Sequence, residues 1–150
     1  MKDIAPITGA GDLAIRPARD GDHEACADVF LAAYRQAFPH HSPDYYAPNL
    51  YYDSIAGEQQ FVALVGGEII AVLSIYWPEN FIHSLYVRPS RQGGGIGRRL
   101  LEAVLARARG VCELKCDRAN QRAIAFYRHL GWREVGEGIA DTGPWVRLRK

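Results

Sequence analysis

The sequence predicts a mixed α/β fold, and three observations carry that expectation. Two nearly continuous apolar stretches, F-V-A-L-V over 61–65 and I-I-A-V-L-S-I-Y-W over 69–77, are separated by Gly66-Gly67. Strands apolar on both faces must be covered on both sides, so helices lie above and below the sheet. Helical periodicity then follows in Ile96, Leu100, Leu101, Val104, Leu105 and Ala108. Between strand and helix stand four glycines in five positions, Gly93, Gly94, Gly95 and Gly97. Read through, the order is β, α(α), βββ, α, β, α, ββ, a mixed α/β pattern.

Each element has its own signal. Residues 1–12 carry no periodicity and read as a loose N-terminal arm, with residues 13–150 as a single domain. Leu13 to Pro17 alternates toward an edge strand. Asp20 or Asp22 caps the first helix, where Ala25, Val29, Ala33 and Ala37 share a stripe beside Cys26, Phe30 and Tyr34, and Pro39 ends it. His40 to Tyr52 is rich in tyrosine and broken by proline, which predicts a short helix around Tyr46 to Ile55 between loops. Tyr45, Tyr46, Tyr51 and Tyr52 serve either as a binding wall or as packing against the sheet. The hairpin over 61–77 turns at Gly66-Gly67. Phe81 to Val87 is the next strand, and a helix from Ile96 to Arg109 stops at Gly110. Val111 to Cys116 is a strand; Asn120 caps a helix over Gln121 to Leu130 that ends at Gly131. Trp132 to Glu137 and Pro144 to Arg149 close the chain as an antiparallel pair.

A chain of 150 residues buries roughly 70% of its unfolded surface and supports a real core. Its 48% hydrophobic and 23% charged residues are ordinary for a globular protein. There is no run of about 20 apolar residues to span a membrane and no apolar signal core at the start, so the expected location is the cytoplasm. The cysteines, Cys26, Cys112 and Cys116, lack metal-type spacing and read as buried thiols; no metal is expected. Net charge of +1 hides an asymmetry: residues 1–80 hold 4 Lys/Arg and 11 Asp/Glu, residues 81–150 hold 14 and 6. A basic half beside a glycine loop suits a phosphate-rich ligand. Nucleic acid, the competitor, lacks a recognition motif here.

The glycine junction has a physical purpose. A helix start presents unpaired N–H groups and a partial positive charge, and glycine lets an anion approach them. Arg91, Arg98 and Arg99 add charge. A P-loop would need a Lys after the glycines, and a dinucleotide fingerprint would need Gly where Arg98 or Leu100 stands. What matches is Q-x-x-G-x-G from Gln92 to Gly97 after a strand ending L-Y-V-x-P. This resembles the acetyl-CoA signature of the GNAT superfamily of N-acetyltransferases. N-Q-R-A-I-A-F-Y-R-H-L-G-W over Asn120 to Trp132 looks like that family's second motif, N-x-x-A-x-x-F-Y-x-x-x-G-[FW].

The resemblance implies a mostly antiparallel central sheet of about six to seven strands, flanked by about four helices on both faces. It implies acetyl-CoA as co-substrate, bound by Leu85, Tyr86 and Val87 along the strand, by Gln92, Gly93, Gly94, Gly95, Ile96, Gly97 and Arg98 at the pyrophosphate, and by Asn120 and Tyr127 from the later helix. Tyr127 would be the general acid for the departing thiolate; its bland alternative is a buried helix aromatic beside Phe126 and Leu130. The family's usual carboxylate base is absent from the strand, which carries His83 and Ser84 instead. By alternation His83 should share the face of Leu85 and Val87, as a proton acceptor or as a structural residue. The implied activity is acetyl transfer to a primary amine of a small molecule or peptide, with a non-catalytic acyl-CoA-binding module as alternative. Neither nucleic acid nor membrane is expected as partner, and a homodimer stays open. The acidic first half, with Asp44 and Asp53 beside the tyrosines, points to a cationic or aromatic amine.

Overall fold

The computed structural model describes residues 12–150, so the expected arm lies, apart from Asp12, outside the described residues. Seven strands form one sheet in the order β1-β2-β3-β4-β5-β7-β6. They are β1 (Leu13–Pro17), β2 (Gln59–Val65), β3 (Glu68–Tyr76), β4 (Phe81–Val87), β5 (Glu113–Asp117), β6 (Arg133–Ala140) and β7 (Gly143–Arg149). The helices are α1 (His23–Ala37), α2 (Pro48–Ser54), α3 (Ile96–Leu105) and α4 (Gln121–His129). Every strand pairing is antiparallel except β4 with β5.

The sheet is covered on both sides, as the doubly apolar strands require. On one face Phe61, Ala63, Leu73 and Ile75 pack with Leu100, Leu101 and Val104 of α3 and Ile124 and Tyr127 of α4. On the other, Val62, Leu64 and Val72 pack with Cys26, Val29 and Phe30 of α1 and Tyr51 of α2. Full burial of such a side chain is worth on the order of 1.5–3 kcal/mol, so the two layers clamp β2 and β3 from both sides. Gly66 and Gly67 take φ of 58° and 81° at the hairpin turn, the left-handed conformation glycine permits. Among the described residues no helix is long and apolar enough to cross a membrane.

Several boundaries differ from the sequence expectation, each for a local reason. The buried residues of α1 are Cys26, Ala27, Val29, Phe30 and Ala33, while Ala37 is exposed: the helix is rolled away from the expected alanine stripe. Asp22 stands at the start of α1 but makes no side-chain cap there. Its carboxylate accepts instead from the Arg19 N–H at 2.7 Å and from the Arg16 guanidinium, which holds it below the usual carboxylate range and ties β1 to the helix entry. α3 ends at Leu105, four residues early. Arg107 and Ala108 bond back three residues to Val104 and Leu105, so the last turn tightens and unwinds before Gly110. β5 starts later than expected, with Cys112 pairing through its backbone to Lys150 beyond the end of β7. The tyrosines divide: Tyr46 and Tyr51 are buried, whereas Tyr45 and Tyr52 are exposed.

Burial of tyrosine sets a pH dependence of stability. Tyr51, Tyr86 and Tyr127 have their hydroxyls pushed above the ordinary value, chiefly by desolvation. Unfolded, tyrosine ionises near about 10; folded, these three keep their protons, so above that pH the unfolded chain binds fewer protons and gains population. The stabilisation is therefore whole below about pH 10 and lost as pH rises beyond it. Thermal melts between neutrality and pH 11 are expected to show Tm falling only in the alkaline range, and falling less steeply in Tyr86→Phe.

Candidate active site

The site begins where β4 and β5 separate. Their parallel ladder covers only Phe81 with Glu113 and Ile82 with Leu114. From His83 to Val87 the side of β4 that faced β5 has no strand partner among the described residues, so its backbone groups, apart from the Val87 carbonyl that Gln92 caps, are left without a ladder. Beyond the separation lies a cleft of about 730 Å³ lined by Leu85, Tyr86 and Val87 on one side and by Asn120, Ala123, Phe126 and Tyr127 of the α4 region on the other.

The glycine loop closes the far end. Gly93 and Gly95 take φ of 84° and 79°, where a side chain is strained, and no atom lies within 4 Å of the position a Cβ would occupy. The loop therefore opens toward the cleft. Gly95 is the residue before α3, so the first N–H groups of that ten-residue helix point from its end. Gly97 has a different function: its Cβ would stand 3.3 Å from Val87 Cγ2, so glycine here lets helix and strand approach. Gln92 braces the loop from inside, its Nε2 donating to the Val87 carbonyl at 3.0 Å and to Gln36 Oε1 of α1 at 2.9 Å. Arg91, Arg98 and Arg122 line the same end, with Arg98 also paired to Glu102 one turn on. Glycine cradle, helix start and arginines together suit a phosphate-bearing anion.

Nearly every residue singled out for the co-substrate lines this cleft. Gly94 is the exception, with the nearest contact of its would-be Cβ at the Arg91 carbonyl, 3.9 Å away. Asn120 lines the cleft and also caps α4, Oδ1 accepting from the Ala123 N–H at 3.2 Å. Sequence reasoning missed Arg122, Gln36 and His129, because lining by a helix facing the loop depends on how the layers dock. Arg122 alone carried a signal, as a cation two residues into the helix capped by Asn120, whereas Arg99, expected beside the loop, does not line the cleft.

Tyr127 sits in the cleft wall with its ring against Phe126 and Trp132, at centroid distances of 5.1 and 5.6 Å. Desolvation, followed by the nearby Cys116 and Tyr86, pushes its hydroxyl above the ordinary tyrosine value, so it is protonated throughout the neutral range. Cys116 is itself pushed up to about 11 by burial, so it stays a neutral thiol.

His83 departs from expectation. Ser74 pairs with Ser84 and Ile75 with Ile82, leaving His83 as the extra residue of a bulge. The bulge resets the alternation: Ile82 and Leu85, three positions apart, both pack in the α3/α4 core. His83 therefore does not share the face of Leu85 and Val87, and it is not among the residues lining the cleft. Its Nδ1 donates to Glu58 Oε2 at 2.7 Å, just ahead of β2.

The model of the acetyltransferase (GNAT) family matches residues 23–132. The chain is 46% identical over 59 residues to the N-alpha-acetyltransferase RimI of Mycobacterium tuberculosis, a stretch that covers 39% of this chain and 37% of that protein. Its fold matches the solution structure of apo YjaB from Escherichia coli with a TM-score of 0.76 at 19% identity, over 91% of this chain and 96% of that one. It also matches the PaiA N-acetyltransferase of Thermoplasma acidophilum, solved in complex with coenzyme A, with a TM-score of 0.73 at 18% identity, over 92% and 98%. Glycine loop, parted strands and family match agree, and the chain belongs to the GNAT acetyltransferase family.

Proposed function

We propose that the protein is an acetyl-CoA-dependent N-acetyltransferase acting on a primary amine of a small molecule or peptide. The observation that carries this reading is the parting of β4 from β5 directly above a glycine-cradled helix start, with a protonated tyrosine in the wall between. The relative named for N-alpha-acetyl transfer supports an amine as acceptor.

Each residue has a task in such a transfer. Acetyl-CoA supplies a thioester whose carbonyl carbon an amine can attack. The N–H groups at α3's start, with Arg91, Arg98 and Arg122, hold the phosphates, and the unladdered backbone of Leu85, with the N–H of Val87, aligns the pantetheine arm as an added strand. A β4 N–H donates to the carbonyl oxygen on which negative charge gathers. His83 does not line the cleft, but it is half exposed where β4 leaves β5, and in this reading it takes a proton from an amine that approaches from the face of the sheet opposite Leu85 and Val87. The N–C bond forms as the C–S bond breaks, and the Tyr127 O–H donates to the sulfur. With reference values of about 10 for tyrosine and 8.5 for a thiol, that transfer is uphill in isolation and proceeds in concert with C–S cleavage.

The acceptor reading is a cationic or aromatic amine. Outside the cleft lining, Tyr52 presents an exposed ring and Tyr45 a ring already stacked on His41 at 3.8 Å, and Asp44 and Asp53 are exposed beside them. Their carboxylates and π faces favour a cation by attraction that salt weakens. The test is thiol release from acetyl-CoA across polyamines, aminoglycosides, aromatic amines, amino acids and peptide N-termini. Turnover with cations, reduced by salt and by Asp44→Asn or Asp53→Asn, is expected; a preference for anionic acceptors overturns the acceptor class. Coenzyme A binding with no turnover on any amine instead favours a non-catalytic acyl-CoA-binding module.

A further inference from the structure

Two buried polar residues stand out among the described residues, Gln60 and Ser74, and both belong to one chain of hydrogen bonds. Gln60 Nε2 donates to Ser74 Oγ at 3.2 Å and to the Glu58 carbonyl at 3.1 Å. The second bond fixes the backbone ahead of β2, from which the Glu58 carboxylate accepts from His83 Nδ1 at 2.7 Å. The Glu58 side chain is only 6% exposed, against 51% for His83. A carboxylate withdrawn from water this far is costly unless its hydrogen bonds are made. A solvated acidic face has no reason to bury one, nor to anchor its backbone through a buried amide.

We infer that Glu58 is the positioning residue for His83, locking the ring proton on Nδ1 and leaving Nε2 bare where β4 leaves β5. This rests on the reading of His83 as proton acceptor and extends it. The hydrogen bond at one ring nitrogen sets which nitrogen carries the proton, and a bare Nε2 is the form able to accept one. When Nε2 takes the amine proton, the ring becomes a cation facing Glu58, whose carboxylate compensates it without moving. The cycle balances: the amine proton rests on His83, the Tyr127 proton leaves with the thiol, and solvent returns the proton from the imidazolium to the tyrosinate. The bulge is what makes this possible, since regular alternation would have placed His83 with Leu85 and Val87, away from Glu58.

The test pairs a spectroscopic with a kinetic arm on the full chain. Ring-nitrogen 15N–1H spectra are expected to show His83 protonated on Nδ1, and to lose that signature in Glu58→Met. Glu58→Gln, which preserves shape and an acceptor oxygen, serves should the first variant fold poorly, and is expected to retain the signature in part. With acetyl-CoA and spermidine, or the best amine of the screen if spermidine is not accepted, kcat is expected to fall roughly 10- to 100-fold in Glu58→Met, a share of the usual contribution of a general base, with KM for acetyl-CoA unchanged. Adding Glu58→Met to His83→Asn should cost nothing more, because both changes remove one function. An unchanged His83 signature in both Glu58 variants, unchanged kcat, or losses that multiply in the double variant overturn the inference. Full turnover in His83→Asn would overturn the proton-acceptor reading instead, and an inactive His83→Asn beside a fully active Glu58→Met would overturn only the role of Glu58.

Discussion

Gly95→Asp is expected to abolish coenzyme A binding in calorimetry, the largest effect of any single substitution in the cleft. Two changes coincide there. Gly95 adopts a φ of 79° immediately before α3, so an added side chain meets backbone strain of about 1–2 kcal/mol. The new carboxylate also projects into the open space where the helix start and three arginines present their positive charge, and it neutralises that charge while repelling phosphate. Gly95→Asn separates the two causes, since it carries comparable strain without the charge and should weaken binding without eliminating it. Arg133→Ala, on exposed β6, is the neutral control. Unaltered affinity in Gly95→Asp would mean that phosphate is held elsewhere.

The second large effect is on turnover. Tyr127→Phe is expected to lower kcat roughly 10- to 1,000-fold, in or near the range for a lost general acid, with acetyl-CoA affinity little changed. Phenylalanine retains the ring that packs against Phe126 and Trp132, so the wall keeps its shape and only the proton donor is lost. Because burial holds the hydroxyl above its ordinary value, Tyr127 itself contributes no alkaline limb to the rate profile near neutrality. A Tyr127→Phe enzyme with full kcat would assign protonation of the thiolate to solvent or another group.

The two segments that line the cleft were legible in the sequence because their signals are local. The glycine spacing from Gln92 to Gly97 and the run from Asn120 to Trp132 each encode a loop and helix start within a dozen residues, and the cleft assembles from them as expected. The doubly apolar β2 and β3 likewise announced a covered sheet. What was not legible depends on pairing between distant segments. Alternation along 81–87 put His83 on the wrong face because a bulge is a relation between two strands, and nothing within F-I-H-S-L-Y-V marks it. Glu58 carries no mark of burial in the sequence for the same reason: its partners, Gln60 aside, come from strands distant in the chain. Docking between layers, which brings Gln36 of α1 to the glycine loop, is equally silent in sequence.

The short ladder between β4 and β5 has a mechanical meaning as well. Strands β1 to β4 form one continuous block, β5 with β7 and β6 another, and at the sheet level the two blocks meet along only the first two residues of β4. The remainder of that seam is a wedge, propped by α3 and α4 rather than stitched by backbone bonds. A molecule lying in the wedge and bonding to β4 works as a cross-tie, adding stiffness where the sheet has least of its own. Amide exchange along the free edge of β4 and in α4 should therefore slow together when the wedge is filled, with β1 and β2, far from the seam, keeping their own rates.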